Sequence, residues 1–335
     1  ATTAASGYTS QVRNAGHIRN RGYEIQLGAV PIQTSKGFRW NLDLNYGANR
    51  SKVIKLDDEG LITSYQLYSS GIQILASVGE AYGTLYGTSY VRDANGSIVV
   101  DANGLSKIST TNKTLGKFTP DWTGGVSNTF SYRSLSLSFL IDASVGGSIF
   151  SNTNKTGKYT GVLANTLPGR DAEHGGLWYY TDAMGNNVRL SEPPSYSISS
   201  DGLYYAHVNG QSTRVYQDGI IVEGVTESGS KNEKVVSAEK YYHRIYSIAE
   251  SNVYDASYVK LREVALSYRL PRLWTQKLHL QEASVTLTGR NLWTIYKSVP
   301  NIDPESALTT GNAQGVEAYS LPTTRSFGVN LSVKF

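Results

Sequence analysis

The sequence predicts an all-β protein, an antiparallel transmembrane β-barrel, on three observations. The first is the closing run Arg325–Phe335. Phe327, Val329, Leu331, Val333 and Phe335 alternate there without a miss against Ser326, Gly328, Asn330, Ser332 and Lys334. Period two means a strand with one apolar and one polar face. A soluble sheet would leave such a last strand as an exposed edge, whereas a barrel pairs it and turns its apolar face to lipid. The second observation is that this pattern recurs upstream, with short and long connections in alternation. The third is composition. Hydrophobic residues make up 39% of 335, which is too low for helical spans, while 24 Tyr, 5 Trp and 33 Gly suit strands and aromatic girdles.

The elements follow in order. Tyr23, Ile25, Leu27 and Ala29 alternate with Gly22, Glu24, Gln26 and Gly28. Phe38, Trp40, Leu42, Leu44, Tyr46 and Ala48 alternate with Arg39, Asn41, Asp43, Asn45 and Gly47. Over Trp122–Tyr132 the apolar face is Trp122, Val126, Phe130 and Tyr132, opposite Thr123, Ser127, Thr129 and Ser131. Over Ser134–Val145, Leu135, Leu137, Phe139, Ile141, Ala143 and Val145 oppose Ser134, Ser136, Ser138, Asp142 and Ser144. Tyr258–Leu270 ends in phase at Val264, Leu266, Tyr268 and Leu270, but its first half slips, as a bulge would cause. Ala283–Tyr296 loses phase near Gly289-Arg290-Asn291. No stretch sustains a helical period; Leu273–Leu280 allows one short turn of helix after Pro271.

The short connections are Thr34–Gly37, Arg133-Ser134 and Pro271–Glu282. The long ones span about 51–120, 146–255 and 297–323. Tight turns at one end and long loops at the other are the asymmetry of outer-membrane barrels. If the last strand runs inward, Phe38–Ala48 runs outward only when 51–120 holds an even number of extra spans or none. One hairpin, Tyr82–Val91 with Ser97–Val100, fits there, joined by Asp93-Ala94-Asn95-Gly96. The expected total is roughly eight to ten spanning strands. A soluble β-sandwich or jelly roll also alternates. Against it, the polar faces are rich in Ser, Thr and Asn and poor in Lys and Glu, which suits a lumen better than bulk water.

Composition also excludes functions. With no Cys there is no disulfide framework and no thiol chemistry. A net charge of +4 is small and spread out, so no nucleic-acid partner is expected. No Gly-x-Ser-x-Gly elbow, P-loop or His-Glu-x-x-His occurs, and His17, His174, His207, His243 and His279 lack ligand spacing. The chain is therefore read as no enzyme, with no metal and no cofactor. Asp93–Gly96 and Asp101–Gly104 both read Asp-Ala-Asn-Gly, which is turn chemistry rather than a calcium loop. Asp57-Asp58-Glu59 reads as a solvated loop. The polar start at Ala1, without initiator Met or signal peptide, reads as a cleaved fragment or part of a larger protein.

Several segments together resemble one family. They are VRNAGHIRNRGYEIQ at Val12–Gln26, VGEAYGTLYGTSY at Val78–Tyr90, the Phe118–Tyr132 strand, and YDASYVKLREVALSYRLP at Tyr254–Pro271. Gly289-Arg290-Asn291-Leu292, Asn301-Ile302-Asp303-Pro304-Glu305 and Pro322–Phe335 complete the set. In this order they resemble SusC/RagA-type TonB-dependent outer-membrane transporters. The resemblance implies a multi-pass barrel of about 22 strands in the bacterial outer membrane. It also implies an amino-terminal plug, TonB as energy source and a SusD-like surface lipoprotein as lid. Plug and TonB box have no counterpart in residues 1–335, which read as the carboxy-terminal portion of the barrel, so the amino-terminal part is a required partner. The terminal run Phe327, Val329, Leu331, Val333 and Phe335 resembles the assembly signal of such barrels.

The implied function is energised uptake of oligosaccharides, with oligopeptides or a structural, adhesive barrel without active transport as alternatives. The substrate- or lid-binding candidates are Trp178, Tyr179, Tyr180, Tyr204 and Tyr205, in the longest loop beside Tyr241-Tyr242. Their rings suit sugar faces or a lid, but equally the packing of the loop on itself.

Overall fold

The computed structural model describes residues 5, 7, 16–57, 60–277, 279–307 and 309–335. Part of the Val12–Gln26 motif and Asp58-Glu59 of the acidic run lie outside them. One antiparallel sheet of seven strands forms the wall, each strand hydrogen-bonded to its predecessor in this order. The strands are β1 (His17–Gln33), β2 (Phe38–Lys55), β3 (Trp122–Tyr132), β4 (Leu135–Val145), β5 (Tyr258–Arg269), β6 (Glu282–Lys297) and β7 (Ser326–Lys334). Strands outside the wall are given by range. No described helix is long and apolar enough to cross a membrane.

The register carries the apolar face through all seven strands. One row runs Trp40, Phe130, Leu137, Leu266, Leu287 and Val329 across β2 to β7. The next runs Phe38, Tyr132, Leu135, Tyr268, Val285 and Leu331. On β1, Ile25 and Leu27 continue the face beside Tyr46 and Leu44. Leu27, Leu137, Leu287 and Leu331 all point into open space. The opposite face is polar in equally straight rows, such as Arg39, Ser131, Ser136, Ser267, Thr286 and Asn330. Hydroxyl pairs tie it together, Ser131 to Ser136 at 3.1 Å and Ser267 to Thr286 at 2.9 Å.

The apolar band has the dimensions of a membrane. Aromatic rings bound it: at one end Tyr23 stacks on Tyr46, which packs against the tilted Trp122 ring, with centroids 6.3 and 5.5 Å apart. Phe38, Tyr132 and Tyr268 lie at the other end. Along the eleven-residue strand from Trp122 to Tyr132 the chain rises about 33 Å at about 3.3 Å per residue. A tilt of about 40° reduces this to about 25 Å, the height of the lipid-facing band of such barrels. Asn128 breaks the apolar pattern, and the Trp40 indole N–H donates to its Oδ1 at 3.0 Å, so no amide oxygen is left bare toward lipid.

All three short connections lie at one end of the wall and all three long ones at the other. Thr34–Gly37 closes β1 to β2, with Gly37 at φ 90. Arg133-Ser134 closes β3 to β4, with Arg133 at φ 54. The third short connection carries a helix over Arg272–Lys277, slightly shorter than the expected turn at Leu273–Leu280.

The wall has seven strands rather than the expected eight to ten. Segment 56–121 adds no span. The Asp93–Gly96 turn does form, with Asp93 N–H donating to Ser97 O, but its arms meet only in isolated bridges. Thr84–Gly87 pairs instead with Gln73–Ser77 and Lys113–Lys117 in a four-stranded sheet above the wall. Strands of four to six residues are too short to span, which needs about nine. Inward and outward strands still alternate correctly, since no added spans satisfies the parity rule.

The outer segments pack like a soluble domain. Ile72, Ile74 and Leu85 of 56–121 meet Phe150 and Ala249 of 146–257 and Val316 of 298–325 in one core. A second core joins Val100 and Leu105 to Val222 and Val236. Gly83 permits this packing: at φ 82 it lies under the Phe118 ring, where a Cβ would come within 2.0 Å. Two helices here were not expected from sequence, α1 (Asn152–Thr160) and α2 (Ala238–Tyr246). Serine caps start both: Ser151 accepts from the Asn154 N–H, and Ser237 from the Lys240 N–H.

In the complete barrel, Leu137→Arg should destabilise the assembled state by about 2–4 kcal/mol and Ser136→Arg by little. Urea unfolding from vesicles, read by heat-modifiable migration, checks this. Equal effects at the two positions would contradict the assignment of faces.

Candidate functional site

The polar face of the wall bears an ionic cluster built at a bulge. Between Leu261 and Glu263 the register of β5 slips against both β4 and β6. Leu261 and Val264 stay in the apolar rows, so Arg262 and Glu263 both turn to the polar side. A bulge re-aims side chains in this way. Across β6 the slip is taken up at Asn291, at φ 52, where sequence alternation also fails.

Arg262 donates Nε to Asp142 Oδ2 at 2.5 Å and grips Glu305 with both terminal nitrogens. Lys260, 2% exposed, reaches Asp303 Oδ1 at 2.6 Å and Glu305 Oε2 at 2.5 Å. Three carboxylates thus face two cations, and neutral donors serve the surplus charge. The Tyr258 hydroxyl donates to Glu305 at 2.9 Å, and the Thr323 hydroxyl to Asp303 at 2.6 Å. Burial alone would raise the Asp303 carboxyl, but hydrogen bonds from Lys260, Thr323 and the Glu305 N–H outweigh it and hold it down at about 2. Glu305 is also lowered, burial being overcome by Arg262 and Lys260. The cluster pins outer segment 298–325 to the wall. Beside it opens a polar concavity of about 970 Å³ lined by Glu24, Asn45, Asp142, Arg262, Glu263 and Arg290.

A second fastening lies further out. Glu317, fully buried, accepts from the Ser151 hydroxyl at 2.7 Å, the Thr153 hydroxyl at 2.6 Å and the Thr153 N–H at 3.2 Å. Its carboxylate thereby sits at the start of α1, where helix N–H groups favour negative charge. Val316-Glu317 also pairs in parallel with Phe150-Ser151, while Val253–Asp255 flanks the same strand on its other side.

The aromatic candidates fall on two faces of one outer sheet, formed by Leu177–Thr181, Gln211–Ile221, Tyr204–Val208 and shorter strands. Trp178, Tyr180 and Tyr204 come together, packing with Ala206 and Val215. Trp178 is 7% exposed and stacks on Tyr196 at 5.2 Å. Tyr179 and Tyr205 project from the opposite face, level with Tyr216 and Arg214. Tyr179 is buried against Tyr216, and its hydroxyl donates to Asp218 at 3.1 Å. Burial raises both the Tyr179 phenol and the Asp218 carboxyl. Half-buried Tyr180, Tyr204 and Tyr205 and exposed Tyr196 keep accessible ring surface. Tyr196 was missed in the sequence because it stands alone between polar residues. Tyr241 packs on the second core, and the Tyr242 hydroxyl reaches Asn165 O at 3.3 Å. Of the terminal run, Phe327, Val329, Leu331 and Val333 lie on the apolar face of β7, and Phe335 follows the strand.

A seven-stranded antiparallel wall with an apolar band on one face and a charged, polar opposite face under packed outer segments is the architecture of part of a transmembrane β-barrel. No family model matches the chain. In sequence it is similar to TonB-dependent receptor P3 of Formosa agariphila, 26% identical over 98% of this chain and 30% of that protein. Receptors P26 and P39 of the same organism are 24% and 27% identical over 98% of the chain. In fold it is similar to the RagAB peptide transporter, with TM-score 0.57 and 20% identity over 100% of this chain and 31% of that one. The RagAB peptide importer in its open-open state gives TM-score 0.57 at 18% identity. Along nearly its whole length the chain is thus similar to TonB-dependent receptors, in agreement with the SusC/RagA-type motifs, and it spans about 30% of the length of the curated relatives it matches.

Because the Asp303 carboxyl titrates lower folded than unfolded, its contribution is present above about pH 4 and is lost as pH falls toward about 2. Limited proteolysis of segment 298–325 in the assembled receptor should accelerate across that window. Lys260→Ala should loosen the segment already at neutral pH, by about 3–5 kcal/mol, because it strands buried carboxylates. Unchanged cleavage in both experiments would show that the cluster does not fasten the segment.

Proposed function

We propose that the chain is the carboxy-terminal part of the barrel of an energised importer in the bacterial outer membrane, taking up oligosaccharides. The observation that carries this reading is the charged polar face, joined by ion pairs to outer segments that share one core. Outer segment 298–325 is ion-paired directly to that face, so the outer segments are fastened over the wall rather than free. Moving a large solute past such a cover needs a conformational step rather than bond chemistry. The remaining parts of the account are an amino-terminal part with plug, TonB as energy source and a SusD-like lipoprotein over the mouth. The contact surfaces for sugar or lid are Tyr180, Tyr196 and Tyr204 over buried Trp178 on one face of the outer sheet, and Tyr205 beside buried Tyr179 on the other.

Oligopeptides are the second reading, favoured by the likeness to the RagAB peptide transporter. Polar and charged groups around the inner concavity serve either polymer.

Growth of the native host on single oligosaccharides or oligopeptides, with the receptor gene deleted and restored, separates the two. Tyr205→Ala should cut uptake severalfold without lowering barrel yield. Trp178→Ala should instead unfold the outer sheet, since truncating a buried Trp costs about 3–5 kcal/mol. The same yield assay reads the proposed assembly run, where Phe335→Asp should reduce barrel yield. Growth that needs neither the receptor nor TonB would leave a structural barrel as the answer.

A further inference from the structure

Just above the outer aromatic ring, the outward face of β1 and β2 carries two rungs of cations. Arg21 lies directly opposite Arg50, and Arg19 directly opposite Lys52. The register is unbroken from Ile18 to Ala29, so these four side chains share the face of Tyr23, Ile25, Tyr46 and Leu44. They begin two residues beyond the Tyr23–Ala48 pair. All four are exposed, and among the described residues none has a carboxylate partner. Like charges directly opposite on a sheet are destabilising, and here two such rungs are stacked. The neighbouring polar face spends its charges differently, pairing Arg262 with Asp142 and Arg290 with Glu263.

We propose that Arg19, Arg21, Arg50 and Lys52 form a binding site for the phosphate groups of an anionic glycolipid in the outer leaflet. Three features fit this occupant. The patch is continuous with the lipid-facing band and lies on its outer side, at headgroup level. Arg presents a planar fork that grips phosphate through two hydrogen bonds. A bound phosphate between two cations on one rung converts repulsion into attraction. Long Arg and Lys stems also reach from the wall into the headgroup layer. Such a lipid would brace the long, projecting β1–β2 hairpin, whose strands run to 17 and 18 residues.

The test uses the complete receptor, purified from outer membranes and stripped of lipid. Lipid A carrying its phosphates should raise its thermal stability. Lipid A with the phosphates removed, and inorganic phosphate at matched concentration, should not. The variant R19Q/R21Q/R50Q/K52Q should fold to the same heat-modifiable barrel. Its affinity for phosphorylated lipid A should fall about fivefold for each cation removed. Equal stabilisation by dephosphorylated lipid or by inorganic phosphate would overturn the proposal. So would full retention of phosphorylated lipid by the variant, which would place the headgroup elsewhere.

Discussion

Backbone pairing in a solvent that offers no hydrogen bonds is the constraint on which the rest of the structure depends. Inside the hydrocarbon an unpaired N–H or C=O costs several kcal/mol, so each strand must be matched along its span. The matched ladder then fixes register, and register fixes faces: a slip of one residue would exchange Leu137 for Ser136 toward lipid. The straight rows from Trp40 to Val329 and from Arg39 to Asn330 are the result. Departures from regularity are compensated locally. Asn128 takes a hydrogen bond from Trp40, and the β5 bulge, which costs ladder bonds, gains the Arg262 contacts.

Beyond the membrane the rule changes. Water satisfies loose backbone, so the outer segments are held by burial and by a few specific ionic contacts. Ile74, Leu85, Phe150 and Val316 are inaccessible to solvent although they come from three separate segments. Two carboxylate anchors, Glu305 with Asp303 below and Glu317 above, fasten 298–325 at both ends. The segment therefore ties the wall directly to the core of the outer segments.

Alternation made the wall legible in the sequence. Phe38–Ala48, Trp122–Tyr132 and Ser134–Val145 each predicted their own faces, because a half-buried strand writes its environment every second residue. Even the slips near Arg262 and Asn291 were visible as lost phase. Alternation did not separate a span from a short strand in an outer sheet, which is why Tyr82–Val91 was counted toward the wall. The fastenings were invisible because their partners are far apart in the chain. Lys260 meets Asp303 43 residues away, and Glu317 reaches Thr153 across 164. Helix α1 was hidden for the same reason: Asn-Thr-Asn-Lys-Thr has no apolar stripe, and a cap plus a distant carboxylate hold it. The aromatic clusters could be seen as clusters, but which ring lies inside depends on sheet register.

The central claim is that one face of this sheet meets lipid and the other an aqueous lumen. Spin labels placed one at a time along Leu135–Val145 of the complete receptor in vesicles test it most directly. Each label's relaxation by oxygen, which concentrates in lipid, is compared with relaxation by a water-soluble nickel chelate. The account predicts a period of two, oxygen dominating at Leu135, Leu137, Phe139 and Ile141 and nickel at Ser136, Ser138 and Asp142. A flat profile, or nickel access at both sets of positions, would contradict it.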